Sequence, residues 1–420
     1  MAPQSPSFWQ RASRRLFGGG LGDRLDVMHR ESHETLAKVQ KHLQHQKGEL
    51  DEVRRALDLL RREDLRLIRQ ELRETRNALH RQSVGTGKLL HDISLVREQK
   101  VVEERVLAWI SRQVKRDRPL VFGPWTGEVG FELIYWVPFL RYVAQRFKLP
   151  PERIIILSRG GTFSWYQDFA SAYLDVFDFV TPSQLQHALK QKKQREVSAF
   201  ERRLLASVRQ RLGVDRLSVI HPLLMYRMYM PYWKETDSIR RVERFAASSS
   251  MPSSAPRPGL ELPERYVAVR FYFSDCLPDT PANRACIEQI MQSLASHSDV
   301  VVLDPGFRID DHTDWAAGTA HRVHRLDAVM TPSNNLAIQT AAIRGAAGFV
   351  GTYGGFSYLA PLCGIDAVAL YSEKNFYASH LERAQRMLVE VGGGQLVPLD
   401  TRALGMVRQA VGSFRAASAH

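Results

Sequence analysis

Cysteine is scarce in this 420-residue chain. Only Cys276, Cys286 and Cys363 occur, and no two form a C-x-x-C pair. That argues against a disulfide-built scaffold and a cysteine zinc site, and it fits a reducing cytoplasm. No stretch approaches the ~18–20 apolar residues that a membrane span requires. The opening MAPQSPSFWQRASRRLF has neither the apolar core nor the small-residue cleavage site of a secretory signal. There is no D-x-D sequence and no His/Asp/Glu group with metal-ligand spacing, so no metal or other cofactor is expected.

What is present is a globular composition, 44% hydrophobic and 25% charged, long enough for two or three domains. The net charge of +13 is unevenly placed. Residues 1–118 hold 25 Lys and Arg against 17 Asp and Glu, whereas the remainder holds 33 against 28. The basicity therefore belongs mainly to an N-terminal arm. It has little aromatic interleaving and no recognised nucleic-acid module follows it, so nucleic acid is not an expected partner. Within residues 1–23, Phe8, Trp9, Leu16 and Phe17 lie beside Arg11, Arg14 and Arg15. This composition suits either a disordered tail or peripheral contact with an anionic membrane, here the inner face of the cytoplasmic membrane.

Residues 24–118 read as helical. Leu36, Leu43, Leu50 and Leu57 recur every seven residues, with Val39, Val53 and Leu60 in the partner positions and Gln46 as the polar exception. Leu65, Leu72 and Leu79 resume the step after a one-residue slip, with Ile68 between. The spacing predicts a coiled coil and a homo-oligomer, with a helix folded back on its own chain as the simpler reading.

From Pro119 the pattern becomes short apolar runs alternating with amphipathic helices, as in parallel α/β sheets. Strands are expected at 119–123, 153–157, 176–180 and 216–220 in a first lobe, 119–246. A second lobe, 260–420, has strands expected at 265–271, 299–303, 348–352 and 366–371. Helices are expected near 130–147, 183–212, 282–296, 333–345 and 355–363. The Ala/Ser/Pro-rich stretch within 247–259 reads as a flexible linker. The expected architecture is two Rossmann-like α/β lobes with a ligand cleft between the carboxyl ends of their sheets.

Three segments carry chemistry. The first, GPWTGEVGFE from Gly123 to Glu132, leaves a strand and opens a helix. Gly127 and Gly130 allow a sharp turn on the acceptor side, and Glu128 projects towards the cleft. A carboxylate there suits a general base, and it equally suits stabilisation of a helix N-terminus. Glu132, one turn further on, reads as structural. In the second, Thr331-Pro332-Ser333-Asn334-Asn335 starts a helix capped by Ser333, with Asn334 and Asn335 facing a ligand. A strand then enters Thr352-Tyr353-Gly354-Gly355-Phe356-Ser357, a turn into a helix that suits a diphosphate. In the third, Arg270 ends a strand where paired N–H donors reach a phosphate or form a structural ion pair. Asp275 follows it as an acid/base candidate or a loop cap. Arg159, closing the second strand, is placed to touch an acidic acceptor. His221, at the end of 216–220, is the remaining catalytic candidate.

The stretch TPSNNLAIQTAAIRGAAGFVGTYGGFSYLAPLCGIDAVALYSE resembles the donor-binding half of bacterial heptosyltransferases and related GT-B glycosyltransferases. Gly127-Glu128-Val129 is similar to that family's Gly-Asp-Val, with Glu in place of Asp. The resemblance implies a GT-B fold, a base role for Glu128, and a donor diphosphate bordered by Gly354, Gly355 and Phe356. It also implies work in building cell-surface polysaccharide. The family's Asp-Ser-Gly-x-x-His turn is here Tyr353-Gly354-Gly355-Phe356-Ser357-Tyr358, without its Asp or His, so heptose is not carried over.

Together these readings predict a metal-independent glycosyltransferase that moves a sugar from a nucleotide donor to a glycan or lipid-linked acceptor hydroxyl. The competing readings are a non-catalytic coiled-coil assembly protein that still binds nucleotide sugar, and a nucleotide-sugar epimerase of the same architecture.

Overall fold

The computed structural model describes residues 98–189, 194, 196–251, 259–309, 312–315, 318, 321–373 and 378–402. It also describes the isolated helical positions Lys38, Lys41, His42, Gln44, His45, Lys47, Arg73 and Glu74. The 1–23 tail and every leucine of the seven-residue seam lie outside the described residues. The chain divides into two compact units, Met1–Leu107 and Ala108–His420. The described residues of the first unit are helical.

The second unit holds two parallel sheets. The first contains β1 (Leu120–Phe122), β2 (Ile154–Ser158), β3 (Ala172–Asp175) and β4 (Ser218–Ile220) in the order β3-β2-β1-β4. The second draws on β5 (Tyr266–Arg270), β6 (Tyr272–Phe273), β7 (Asp299–Val302), β8 (Thr313–Asp314), β9 (Val323–Arg325), β10 (Gly348–Thr352), β11 (Ala367–Tyr371) and β12 (Leu396–Asp400). Six of these form a sheet in the order β12-β11-β10-β5-β7-β9, while β6 and β8 pair as a separate antiparallel ribbon. Counted along each lobe, both sheets run 3-2-1-4, and the second continues to 5-6. This is the Rossmann order. The strand order thus gives the expected pair of Rossmann-like α/β lobes. In such a sheet the connections diverge on either side of the first strand, leaving a crevice at its carboxyl end. The two crevices here lie between β1 and β4 and between β5 and β10.

Strands β1, β5 and β10 are buried along their whole lengths, as expected of central strands covered by helices on both faces. Helix Ala199–Arg211 packs Leu204 and Val208 onto Val121 and Leu157. Its start is fixed by a reciprocal cap, in which Glu201 N donates to Ser198 Oγ and Ser198 N donates to Glu201 Oε2. Helix Pro281–Ala295 begins with Pro281 behind Thr280, whose hydroxyl accepts from Asn283 N at 3.2 Å.

Several expectations are corrected. The run 176–180 is not a strand. Asp175 caps a tight turn at Val176–Asp178 with its own carboxylate, and the strand is the preceding Ala172–Asp175. The helix expected over 183–212 is two helices, Pro182–Leu189 and Ala199–Arg211. Helices Pro222–Trp233 and Ala378–Val391 and strands β9 and β12 add elements the apolar runs did not mark. Residues 252–258 of the linker lie outside the described residues, but its start is tied down. Ala247 N donates to Pro138 O, Arg141 Nη1 donates to Ala247 O, and Met251 N donates to Leu362 O. Arg383 Nη2 also donates to Ser248 Oγ.

The lobes touch directly. Ala337 N donates to Gly160 O at 2.9 Å, Trp165 Nε1 to Thr340 Oγ1 at 3.1 Å, and Tyr232 OH to Ser379 O at 2.6 Å. No helix among the described residues is long and apolar enough to cross a membrane.

Candidate active site

The segment leaving β1 continues the sheet before it turns. Gly123 N donates to Ile220 O and Trp125 N to Leu157 O, so the backbone runs between β4 and β2. Trp125 is fully buried and stacks on Trp136 with ring centroids 5.7 Å apart. Thr126 N donates to Gln194 Oε1 at 3.1 Å, and Gln194 Nε2 returns a bond to Pro124 O at 2.7 Å. Arg159 Nη2 donates to Gly127 O at 2.8 Å. Held in this way, the chain passes Glu128 in an extended conformation, φ −70° and ψ 146°, and enters the helix at Val129. The Glu128 side chain is exposed. Arg159 itself is 2% exposed, so it acts beneath the turn and does not offer an open surface to an acceptor.

The helix that starts here widens into a π turn over Glu132–Trp136, a distortion common at functional sites. Its first residue, Glu132, is fully buried. Its Oε1 accepts from Ser158 Oγ and Tyr166 OH, both at 2.5 Å, while Oε2 has no hydrogen-bond partner among the described residues. Burial lifts this carboxyl to about 7, against the opposing pull of the two hydroxyls and of Arg159. Glu132 thus ties the start of this helix to Ser158 at the end of β2 and to Tyr166.

On the facing lobe, β10 enters the glycine turn. Thr352 is fully buried and its hydroxyl bridges to Tyr272, accepting from N at 3.0 Å and donating to O at 2.8 Å. Tyr353 receives the hydroxyl hydrogen of Tyr358 at 2.8 Å. Gly354 has φ 153°, and a Cβ there would lie 2.1 Å from Tyr272 Oη, so only glycine fits. Ser357 closes the cap by accepting from Gly354 N at 3.0 Å. Gly355 then opens helix Gly355–Leu362. An added Cβ on Gly355 would lie 2.8 Å from Gly130 N and from Val129 Cβ. The two glycine turns singled out in the sequence, one per lobe, therefore face each other in contact.

Arg270, at the end of β5, is 8% exposed and already paired. Nη2 lies 2.8 Å from Asp314 Oδ1 and Nη1 lies 3.5 Å from Asp304 Oδ1. Its guanidinium also stands 5.6 Å from the ring centroid of Phe356, beside the glycine turn. Burial raises the Asp314 carboxyl, and the charge of Arg270 opposes that rise. Asn334 bonds back onto its own loop, its Oδ1 accepting from Thr331 N at 2.6 Å. It, and not Ser333, occupies the helix cap, and it makes no side-chain capping bond there. Asn335 is buried and accepts at Oδ1 from Gln339, whose own Oε1 has no hydrogen-bond partner among the described residues. Asp275 sits on an exposed turn after β6.

His221 lies behind the first turn. It is 4% exposed; Nδ1 accepts from Leu223 N at 3.0 Å and Nε2 lies 3.4 Å from Glu201 Oε1. Glu201 in turn accepts from Gln194 at 2.7 Å. Nothing in the sequence marks Gln194: a lone glutamine in a basic, polar stretch carries no motif. The Ser198-x-x-Glu201 capping pattern beside it was the available signal.

No family model and no curated protein matches the chain. Among solved structures it is similar to TibC of enterotoxigenic E. coli H10407, described as an iron-containing dodecameric glycosyltransferase. The identity is 17% over 61% of this chain and 59% of that one, with a TM-score of 0.30. It is also similar to E. coli heptosyltransferase WaaC with ADP, at 13% identity over 70% and 99% of the two chains and a TM-score of 0.34. The glycosyltransferase SnogD of Streptomyces nogalater matches at 11% identity over 72% and 94%, with a TM-score of 0.34. The chain thus spans about three fifths of the length of TibC. These are partial overlaps; the fold is established by the strand order of the two sheets.

Proposed function

We propose that the chain transfers a glycosyl group from a nucleotide-sugar donor to a hydroxyl of a glycan or lipid-linked acceptor. The observation that carries this reading is the apposition of two glycine turns, each at the carboxyl end of the first strand or its neighbour in a Rossmann-ordered sheet. Such positions are where open α/β sheets bind nucleotides. One turn presents an exposed carboxylate, and the other opens a helix whose first N–H groups have no acceptor within the helix.

In this reading the donor diphosphate binds at the start of helix Gly355–Leu362, where the N–H groups and the positive helix end favour an anion. Donor entry parts the two turns, since Gly355 and Val129 leave no room for a phosphate between them. Glu128 accepts the proton of the acceptor hydroxyl. The acceptor oxygen bonds to the anomeric carbon as the bond from that carbon to the diphosphate oxygen breaks, and the nucleoside diphosphate leaves with the electron pair. Water then takes the proton from Glu128. Charge on the leaving group is met by the helix end and by Arg270, whose pairs with Asp304 and Asp314 loosen in exchange. The leucine seam upstream joins copies of the chain, and the basic tail touches an anionic membrane surface.

A thermal-shift screen across UDP-, GDP-, ADP- and CMP-sugars tests donor recognition, because a ligand bound only by the native state raises its stability. Release of nucleoside diphosphate in the presence of acceptor tests the transfer itself. The compensated charge of Arg270 favours one second reading, a module that binds nucleotide sugar without turning it over. A donor that stabilises the protein yet is neither hydrolysed nor transferred would establish that instead.

A further inference from the structure

We infer that Gln194 is a positioning residue for Glu128, itself held in place by Glu201 and His221; this inference rests on the transferase reading above. The loop between β1 and Glu128 has no regular secondary structure, so its buried backbone groups need partners from elsewhere. Gln194 supplies two. Its Oε1 accepts from Thr126 N, two residues before Glu128, and its Nε2 donates to Pro124 O. One amide thus spans the loop and fixes the direction in which the chain leaves β1.

The amide is not free to turn over. Nε2 also donates to Glu201 Oε1 at 2.7 Å, so the nitrogen must face the carboxylate and the oxygen must face Thr126. Glu201 is fixed in turn. Its Oε2 accepts from Ser198 N at 2.7 Å and Ser198 Oγ at 2.9 Å, and its Oε1 lies 3.4 Å from His221 Nε2. Because Leu223 N donates to His221 Nδ1, a ring hydrogen sits on Nε2, which faces Glu201 at 3.4 Å in a close polar contact outside hydrogen-bond geometry. Gln194, Glu201 and His221 are all at most 5% exposed, so water does not compete for these bonds. The buried histidine at the end of β4 therefore acts on the exposed carboxylate through two intermediaries, and it touches no substrate.

The test combines Gln194→Met, which keeps length and loses both amide functions, with Glu128→Gln in a double-mutant cycle. Gln194→Met is expected to lower turnover by about 10- to 100-fold, as displacement of a reacting group by about 1 Å does. Donor affinity, read by calorimetry, should stay within about twofold. In the Glu128→Gln background, Gln194→Met should have no further effect on turnover, because the group it positions is already disabled. An equal loss in both backgrounds, or unchanged turnover, overturns the inference.

Amide hydrogen exchange at Thr126 gives a reading that needs no turnover. Exchange should quicken by at least about tenfold in Gln194→Met, and unaltered exchange overturns the clamp. If the wild-type protein transfers no sugar from any donor, the transferase reading falls while exchange alone judges the clamp. Should Gln194→Met fail to fold, His221→Phe, two steps further from the loop, should show the same two effects at smaller size. Absence of both effects in that variant overturns the inference equally.

Discussion

Gly355 and Gly130 come from helices of different lobes, yet a Cβ on Gly355 would stand 2.8 Å from the Gly130 nitrogen. The reverse substitution meets less, since a Cβ on Gly130 would lie 3.3 Å from Tyr358 Cε2 and 3.4 Å from Gly355 Cα. The contact is backbone against backbone on one side and against the edge of an aromatic ring on the other. Backbone cannot rotate away, whereas a ring can yield by a few tenths of an ångström.

Gly355→Ala should therefore cost about 1–3 kcal/mol, the range for overpacking a close contact, and Gly130→Ala less. Urea denaturation of both variants checks the order. Equal, negligible losses would mean that the two turns do not meet in solution.

Two buried glutamates give stability slopes of opposite sign. Burial raises the Glu132 carboxyl from 4.5 to about 7. A carboxyl that holds its proton more tightly when folded stabilises the protein below pH 4.5, and that contribution is lost as pH rises to about 7. The amount is about 3 kcal/mol. Glu132→Gln keeps an oxygen for Ser158 and Tyr166 and cannot ionise, so its stability should decline less than the parent's between pH 5 and 8, the remaining slope coming from groups such as Asp175, raised to about 6.

For Glu201, burial alone would raise the carboxyl. The polar contact with His221, followed by the donors of Ser198 and Gln194, outweighs it and brings the group from 4.5 to about 2. That contribution, again about 3 kcal/mol, is present above pH 4.5 and is lost as pH falls towards 2. Glu201→Gln should consequently be weaker than the parent at pH 7 and close to it at pH 2. Denaturant midpoints across this range check both glutamates, and parallel pH profiles for parent and variant would contradict the assignment.

Removing Arg270 takes the cation from Asp314 and leaves Asp304 beside Arg325 alone of its two cations, at 4.0 Å. Arg270→Ala should lower stability by about 3 kcal/mol, as breaking a buried ion pair does. Adding Asp314→Asn should restore part of that loss. If the arginine also meets the donor diphosphate, the double variant recovers stability but not donor affinity. Recovery of both would make Arg270 a purely structural ion.

The central strands were legible because parallel strands buried on both faces are near-continuous apolar runs, as in RIIIL and GFVGT. Where burial is partial, that signal fails. Edge strand β3, AYLD, lost to the more apolar VFDFV beside it, which Asp175 turns out of the sheet. Helix Pro222–Trp233 was missed because its aromatic residues face inward nearly all round, leaving little polar stripe to mark a period.

Both glycine turns were legible as turns, but their contact was not, since it joins residues more than 200 positions apart. Arg270 was read as a candidate phosphate ligand because Asp304 and Asp314 are distant in sequence and give no local sign of pairing. His221 stands at the end of its strand, as expected, but its burial beside Glu201 has no local sign in the sequence.

The most direct measurement compares Glu128→Gln with the parent, using the nucleotide sugar that gives the largest thermal shift. Turnover into acceptor and donor affinity by calorimetry are read on both proteins. The account predicts a fall in turnover of about 100-fold or more, because the amide keeps shape and hydrogen bonding but takes no proton. Donor affinity should be unchanged within about twofold, since the residue lies on the opposite lobe from the diphosphate. Normal turnover by Glu128→Gln would contradict the account and move the base elsewhere, with Asp275 the next exposed carboxylate to test.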